Sequence, residues 1–128
     1  MGVVNGELKY GELSSEKWTD FVSAYPPLID NGKAVEINYA TDINYTTRRS
    51  ILAYDANNIY LIAVETPGMV FSTMQKMLLE MRITHAINLD GGGSTKILYK
   101  GESITSATSY NRPVDNVLAI YLKRIYRV

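Results

Sequence analysis

The chain has 128 residues, thirteen of them basic, thirteen acidic and none cysteine. That length suits one domain with a real core and a single site, and the cancelling charge excludes a field that would draw it to nucleic acid or an anionic membrane. The missing cysteines exclude disulfide staples, thiolate metal sites and a thiol nucleophile.

No run approaches the roughly 18 apolar residues of a membrane span, and the first residues lack the basic-then-apolar order of a signal peptide. The expectation is a cytoplasmic protein, or a secreted one if the chain is a fragment of a longer precursor. Asn44-Tyr45-Thr46 fits the glycosylation triplet, which matters only in a secretory compartment.

In chain order, Val3-Val4-Asn5-Gly6-Glu7-Leu8 carries an Asn-Gly pair between apolar stretches, a hairpin signal. Ser14 and Ser15 then offer helix caps, and Trp18, Phe21, Val22 and Tyr25 follow at helical spacing until Pro26-Pro27, which predicts a short N-terminal helix. Leu28-Ile29, the turn Asp30-Asn31-Gly32-Lys33 and residues 34–39 form the clearest hairpin. Residues 40–47 are polar, without periodicity, and read as a loop.

A second hairpin pairs residues 48–54 with 59–64 around Asp55-Ala56-Asn57-Asn58. Its second arm is apolar on both sides, the pattern of a central, covered strand, and Thr66-Pro67-Gly68 is expected to break it. Residues 72–82 are the principal helix, with Phe71, Met74, Met77, Leu78 and Met81 on one face; the methionines there read as core filling. Residues 83–89 form a strand that delivers a glycine loop. A third hairpin follows around Lys100-Gly101, then a polar loop over 106–115 and a long apolar strand over 117–126. The sum is an α+β domain with a mixed, largely antiparallel sheet, one principal helix and one short N-terminal helix.

The loop Asp90-Gly91-Gly92-Gly93-Ser94-Thr95-Lys96 concentrates the chemistry. The Walker pattern needs Gly-Lys-Ser/Thr opening a helix, but here the lysine comes last and strand-like Ile97-Leu98-Tyr99 follows. The dinucleotide fingerprint fails for the same reason. What remains is a nest of backbone donors beside a carboxylate that can act as acid, base, nucleophile or ligand of a hard cation. The same residues also suit a tight turn whose aspartate satisfies local amides.

Asn88-Leu89-Asp90-Gly91-Gly92-Gly93-Ser94 resembles the signature of the phosphodiester glycosidase family. Arg49-Ser50-Ile51-Leu52-Ala53 is similar to that family's Arg-Thr-Ala-Ile-Gly strand, and Gly68 with the helix after it resembles its Gly-Val-Thr-led helix. Asn111-Arg112-Pro113-Val114-Asp115-Asn116-Val117-Leu118-Ala119 resembles its closing Arg-Pro-Val-x-Asn-Ala-Leu segment. The family's N-terminal Asn-Gly-Gly-Phe/Tyr-Phe segment is matched only by Asn5-Gly6, so residues 1–128 read as one such domain, shortened at the N-terminus.

The resemblance implies a hydrolase that removes a sugar from a glycosyl-1-phosphodiester, leaving the phosphate on the other alcohol. It makes Asp90 the central carboxylate and Arg49 and Arg112 the catalytic phosphate clamps, because guanidinium forks match a delocalised anion. Asn88, Gly91, Gly92, Gly93, Ser94 and Thr95 become ligand-binding donors. Asp90 can stabilise an oxocarbenium-like state, attack the anomeric carbon or position water. The resemblance implies no certain cofactor; a divalent cation, if there is one, belongs at Asp90.

The partner expected is a sugar-phosphate or glycosyl phosphodiester, with no nucleic acid or membrane, and a homo-oligomer is compatible. The alternative is a non-catalytic protein holding a sugar-phosphate or nucleotide-like ligand in the same pocket, as an oligomer or alone. Arg48 reads as solvated. His85, the only histidine, reads as a strand residue, and Tyr45 and Tyr110 lie in polar loops from which they can stack on a sugar face.

Overall fold

The computed structural model describes residues 1–12, 17–38, 43–107, 113–114 and 117–121. Its centre is a five-stranded sheet in the order β5-β4-β8-β6-β7. The strands are β4 (Pro27–Asp30), β5 (Lys33–Ala34), β6 (Thr47–Tyr54), β7 (Ile59–Met69) and β8 (His85–Asn88), and every pairing among them is antiparallel.

A second sheet, in the order β2-β1-β3, is built from β1 (Gly2–Val4), β2 (Glu7–Lys9) and β3 (Asp20–Phe21). A separate ribbon pairs β9 (Leu98–Tyr99) with β10 (Glu102–Ser103). The Asn-Gly and Lys-Gly pairs turn where positive φ is needed: Asn5 and Gly6 at 52° and 81°, Asn31 and Gly32 at 47° and 71°, Lys100 and Gly101 at 52° and 87°. These are the left-handed pairs of two-residue type I′ hairpins.

The central sheet is covered on both faces. Helix α1 (Phe71–Glu80) buries Phe71, Met74 and Leu78. Together they form one core with Leu28, Ile29, Ile51, Ala53, Val64, Ile83 and Ala86. Met77 only borders this core and Met81 is largely exposed, so the apolar stripe is narrower than its spacing implies. A smaller core sets Met1, Leu52 and Ile87 among Leu8, Tyr10, Val22, Ala24, Tyr54 and Leu89, which seats the N-terminal sheet near the opposite face.

Three expectations need correction. Residues 17–25 contain no helix, and residues 13–16 lie outside the described part. Asp20–Phe21 is a strand, and the Thr19 and Val22 amides donate to the carbonyls of Val3 and Met1. The apolar spacing was real, but β1 has a second edge to satisfy; the backbone bonds across to it, and Phe21 and Tyr25 are left more than half exposed.

Secondly, β7 is an edge strand, not a central one; β4, β8 and β6 are the interior strands. Ile59 and Leu61 are exposed accordingly. Nor does Thr66-Pro67-Gly68 end β7. Thr47 pairs with Met69 while Arg49 pairs with Val64, so the intervening residues of β7 bulge and the strand resumes. At Gly68, φ is 92° and a Cβ would lie 2.1 Å from the Thr47 carbonyl, which only glycine tolerates.

Thirdly, residues 117–121 are not in a strand, and 122–126 fall outside the described residues. Among the described residues, no helix is long and apolar enough to cross a membrane.

Candidate active site

Strand β8 lies between β4 and β6, so its end is fixed from both sides. The Asn88 amide donates to the Pro26 carbonyl at 3.0 Å and the Leu89 amide to Ser50 at 2.8 Å. The chain then turns through Asp90 and Gly91 into a 3₁₀ turn, Gly92–Ser94, closed by the Ser94 amide on the Gly91 carbonyl at 3.0 Å. A Cβ on Gly91 would sit 2.7 Å from the Arg48 carbonyl oxygen, so the loop lies directly against the backbone of β6. No larger residue fits that approach.

Asp90 is exposed at the mouth of this turn, and its Oδ1 accepts the Gly91 amide at 2.9 Å. Gly93 is exposed, Gly91, Gly92 and Ser94 are half-buried, and Thr95 is buried. Asn88 is buried too, its Nδ2 donating to the Tyr25 carbonyl at 3.1 Å. Oδ1 of Asn88, Oγ1 of Thr95 and Nε of Arg48 are buried without a hydrogen-bond partner among the described residues. Such groups lose their hydration with nothing in return, so three of them around one turn are unusual.

The two arginines of β6 point to opposite faces, as neighbours on a strand must. Arg49 is 5% exposed. Its Nε donates to the Met69 carbonyl at 3.2 Å, and Nη2 donates to the carbonyls of Ile43 at 2.8 Å and Tyr45 at 2.6 Å. It lies over the ring of Phe71, the first residue of α1, whose amide donates to Asn44 Oδ1 at 3.1 Å. Arg49 thus ties the 43–45 loop to the start of the helix, with Tyr45 edging its cation at 5.6 Å.

Arg48, expected to be solvated, has a side chain only 11% exposed. Its Nη2 donates to the carbonyls of Thr95 and Ser106, both at 3.2 Å, and reaches Glu65 Oε1 at 3.5 Å. Sequence reasoning missed it. The available signal was parity: on a strand, only one of two adjacent arginines can share the face of a given core.

Glu65 lies on the β7 bulge. Hydrogen bonds from the Ser106 hydroxyl and amide, with the Arg48 charge behind them, hold its carboxyl below the usual range. Arg112 and Tyr110 lie outside the described residues. Among the described residues, no cluster of three or more His, Cys, Asp or Glu side chains is poised for a metal. Among the described residues, a cation at Asp90 would be completed by carbonyl or hydroxyl oxygens.

His85 sits at the other end of β8. Its ring stacks on Tyr54 at 4.7 Å, tilts against Tyr10 at 5.4 Å and approaches Asp30 at 3.4 Å. It is part of the smaller core's rim, not of the glycine loop.

The profile of the family described as phosphodiester glycosidase matches residues 2–121, nearly the whole chain. The chain belongs to that family. The match spans the β1–β2 hairpin, the Arg49 strand, helix α1 and the acidic glycine turn as one unit. The chain is also similar to the crystal structure of a hypothetical protein from Synechocystis, at 29% identity and a TM-score of 0.59. That similarity covers 66% of this chain and 18% of the Synechocystis chain, so this chain spans a small part of that relative's length. No curated protein matches it.

Proposed function

We propose that this member of the family hydrolyses a glycosyl-1-phosphodiester, with Asp90 as the central carboxylate. The observation that carries the reading is the position of Asp90: exposed, on a glycine turn pressed against β6, just past the end of a strand paired on both edges in a family domain. A phosphate is a good leaving group, so the reaction depends less on a general acid than on stabilising positive charge at the anomeric carbon. An exposed carboxylate beside half-buried amides and the Ser94 hydroxyl suits that task. In this reading Arg112, the second arginine of the family-like blocks, supplies the cation for the phosphate.

The test is incubation with a panel of methyl hexose-1-phosphodiesters, with free sugar as the product measured. Release by the wild type and its loss in Asp90→Asn support the proposal. Absence of release across the panel, with purified folded protein, counts against it.

One observation favours a second reading, a module that holds a sugar-phosphate without turnover. Arg49 gives three hydrogen bonds to backbone carbonyls, which leaves less of its guanidinium to hold a phosphate. Saturable binding of a hexose-1-phosphodiester that is recovered intact after long incubation would favour this reading.

A further inference from the structure

The chain makes an excursion between Thr95 and Ser106 that includes the exposed ribbon β9–β10, with Leu98, Tyr99 and Ile104 all about 60% or more exposed. A two-stranded ribbon of this size has little stability of its own. Its base is closed by the Ile104 amide on the Ile97 carbonyl at 3.0 Å and by the Ile97 amide on Thr105 Oγ1 at 3.4 Å. The points where the chain leaves and returns are both bonded to one atom, Nη2 of Arg48, at 3.2 Å each. Glu65 accepts from the same atom and from the Ser106 amide, so the β7 bulge holds the returning chain as well.

We propose that Arg48 is a positioning residue of the glycine-loop site, one nitrogen fixing the exit of the acidic turn and the start of the segment that leads to Arg112. The proposal rests on the glycosidase reading for its catalytic consequence. Without Arg48, Thr95 and Ser106 lose their common donor, and the exit of the turn carrying Asp90 is no longer tied to the returning chain. Arg48 precedes the family-like Arg49 block, so nothing in the resemblance assigns it this role. A lysine brings three ammonium hydrogens to the same three acceptors, so Arg48→Lys retains part of the function, whereas Arg48→Gln cannot.

Two measurements on the full chain test this. Amide hydrogen exchange, followed by NMR, reads the strap directly and needs no turnover. In Arg48→Gln, the amides of Ser94, Thr95, Ile97 and Ser106 should exchange at least about 10-fold faster, while those linking β6 to β8 stay within about twofold of wild type. Kinetics on the hexose-1-phosphodiesters should show kcat falling about 100-fold with KM within about threefold, because displaced groups lose alignment more than affinity. Arg48→Lys should recover at least about 10-fold of that kcat, and Glu65→Gln should show the same exchange pattern more weakly.

Uniformly faster exchange across the central sheet would make Arg48 a plain scaffold residue and overturn the proposal. So would an unchanged kcat in Arg48→Gln. If the wild type itself releases no sugar, the glycosidase reading fails, and the exchange pattern alone then decides for or against the strap.

Discussion

The guanidinium carbon of Arg49 lies 4.2 Å from the centre of the Phe71 ring, the buried residue that opens α1. This contact and three carbonyl acceptors make Arg49 the joint between β6, the 43–45 loop and the helix. Removing it strands three carbonyls and uncovers an aromatic face. Arg49→Ala is expected to cost about 2–4 kcal/mol in urea unfolding, and Arg49→Lys to recover less than half, since an ammonium lacks the planar fork. Unchanged stability together with a raised KM would instead make Arg49 a substrate clamp.

The three glycines of the turn should not respond alike. A Cβ on Gly91 meets the Arg48 carbonyl oxygen at 2.7 Å, while one on Gly93 meets nothing within 4 Å. Gly91→Ala should push the turn away from β6, destabilising the chain by about 1–3 kcal/mol and suppressing any activity or ligand binding. Gly93→Ala should stay within about 0.5 kcal/mol of wild type. Parallel thermal melts and binding titrations of the two variants make the comparison.

His85 predicts a pH dependence. Burial pushes its pKa below 6.5, and Asp30 offsets this only in part. The unfolded chain therefore binds the proton more readily than the native one. The contribution of His85 to stability is fully present above pH 6.5 and is lost as pH falls through the lower native value. Denaturation midpoints across this window should slope upward with pH in wild type and flatten in His85→Gln. In Asp30→Asn, the imidazole NMR titration should move lower still.

At the tip of the β6–β7 hairpin, Asp55 accepts from the Tyr60 hydroxyl at 2.7 Å and from the amides of Asn57 and Asn58 at 2.7 and 2.8 Å. The Tyr60 bond first and these amides after it hold the Asp55 carboxyl down from 3.8 to about 2, and the same bond raises the Tyr60 phenol. The stabilisation is present above pH 3.8 and fades as pH falls toward 2. Tyr60→Phe should move the carbon-detected Asp55 titration up toward 3.8, further than removal of any other single partner. A titration that stays near 2 would assign the shift to the backbone amides instead.

By itself, the sequence determined what depends on neighbours along the chain. Asn5-Gly6, Asn31-Gly32 and Lys100-Gly101 specify their turns because few other residue pairs adopt two successive left-handed conformations. The stripe Phe71, Met74 and Leu78 specifies a helix and its buried face, and Asn88 through Ser94 carries the family in consecutive residues. Local spacing could not rank strands by their place in the sheet, so β7 read as central from its apolar composition. Nor could it show that β1 would recruit residues 20–21 into pairing, which overrode a helical period.

Only the tertiary structure decided which arginine serves which purpose. Arg48 and Arg49 are adjacent and chemically identical, but the strand turns them to opposite faces. One meets Phe71 and the 43–45 carbonyls, and the other meets Thr95, Ser106 and Glu65. Those partners lie 47, 58 and 17 residues from Arg48 along the chain, a separation no local pattern records.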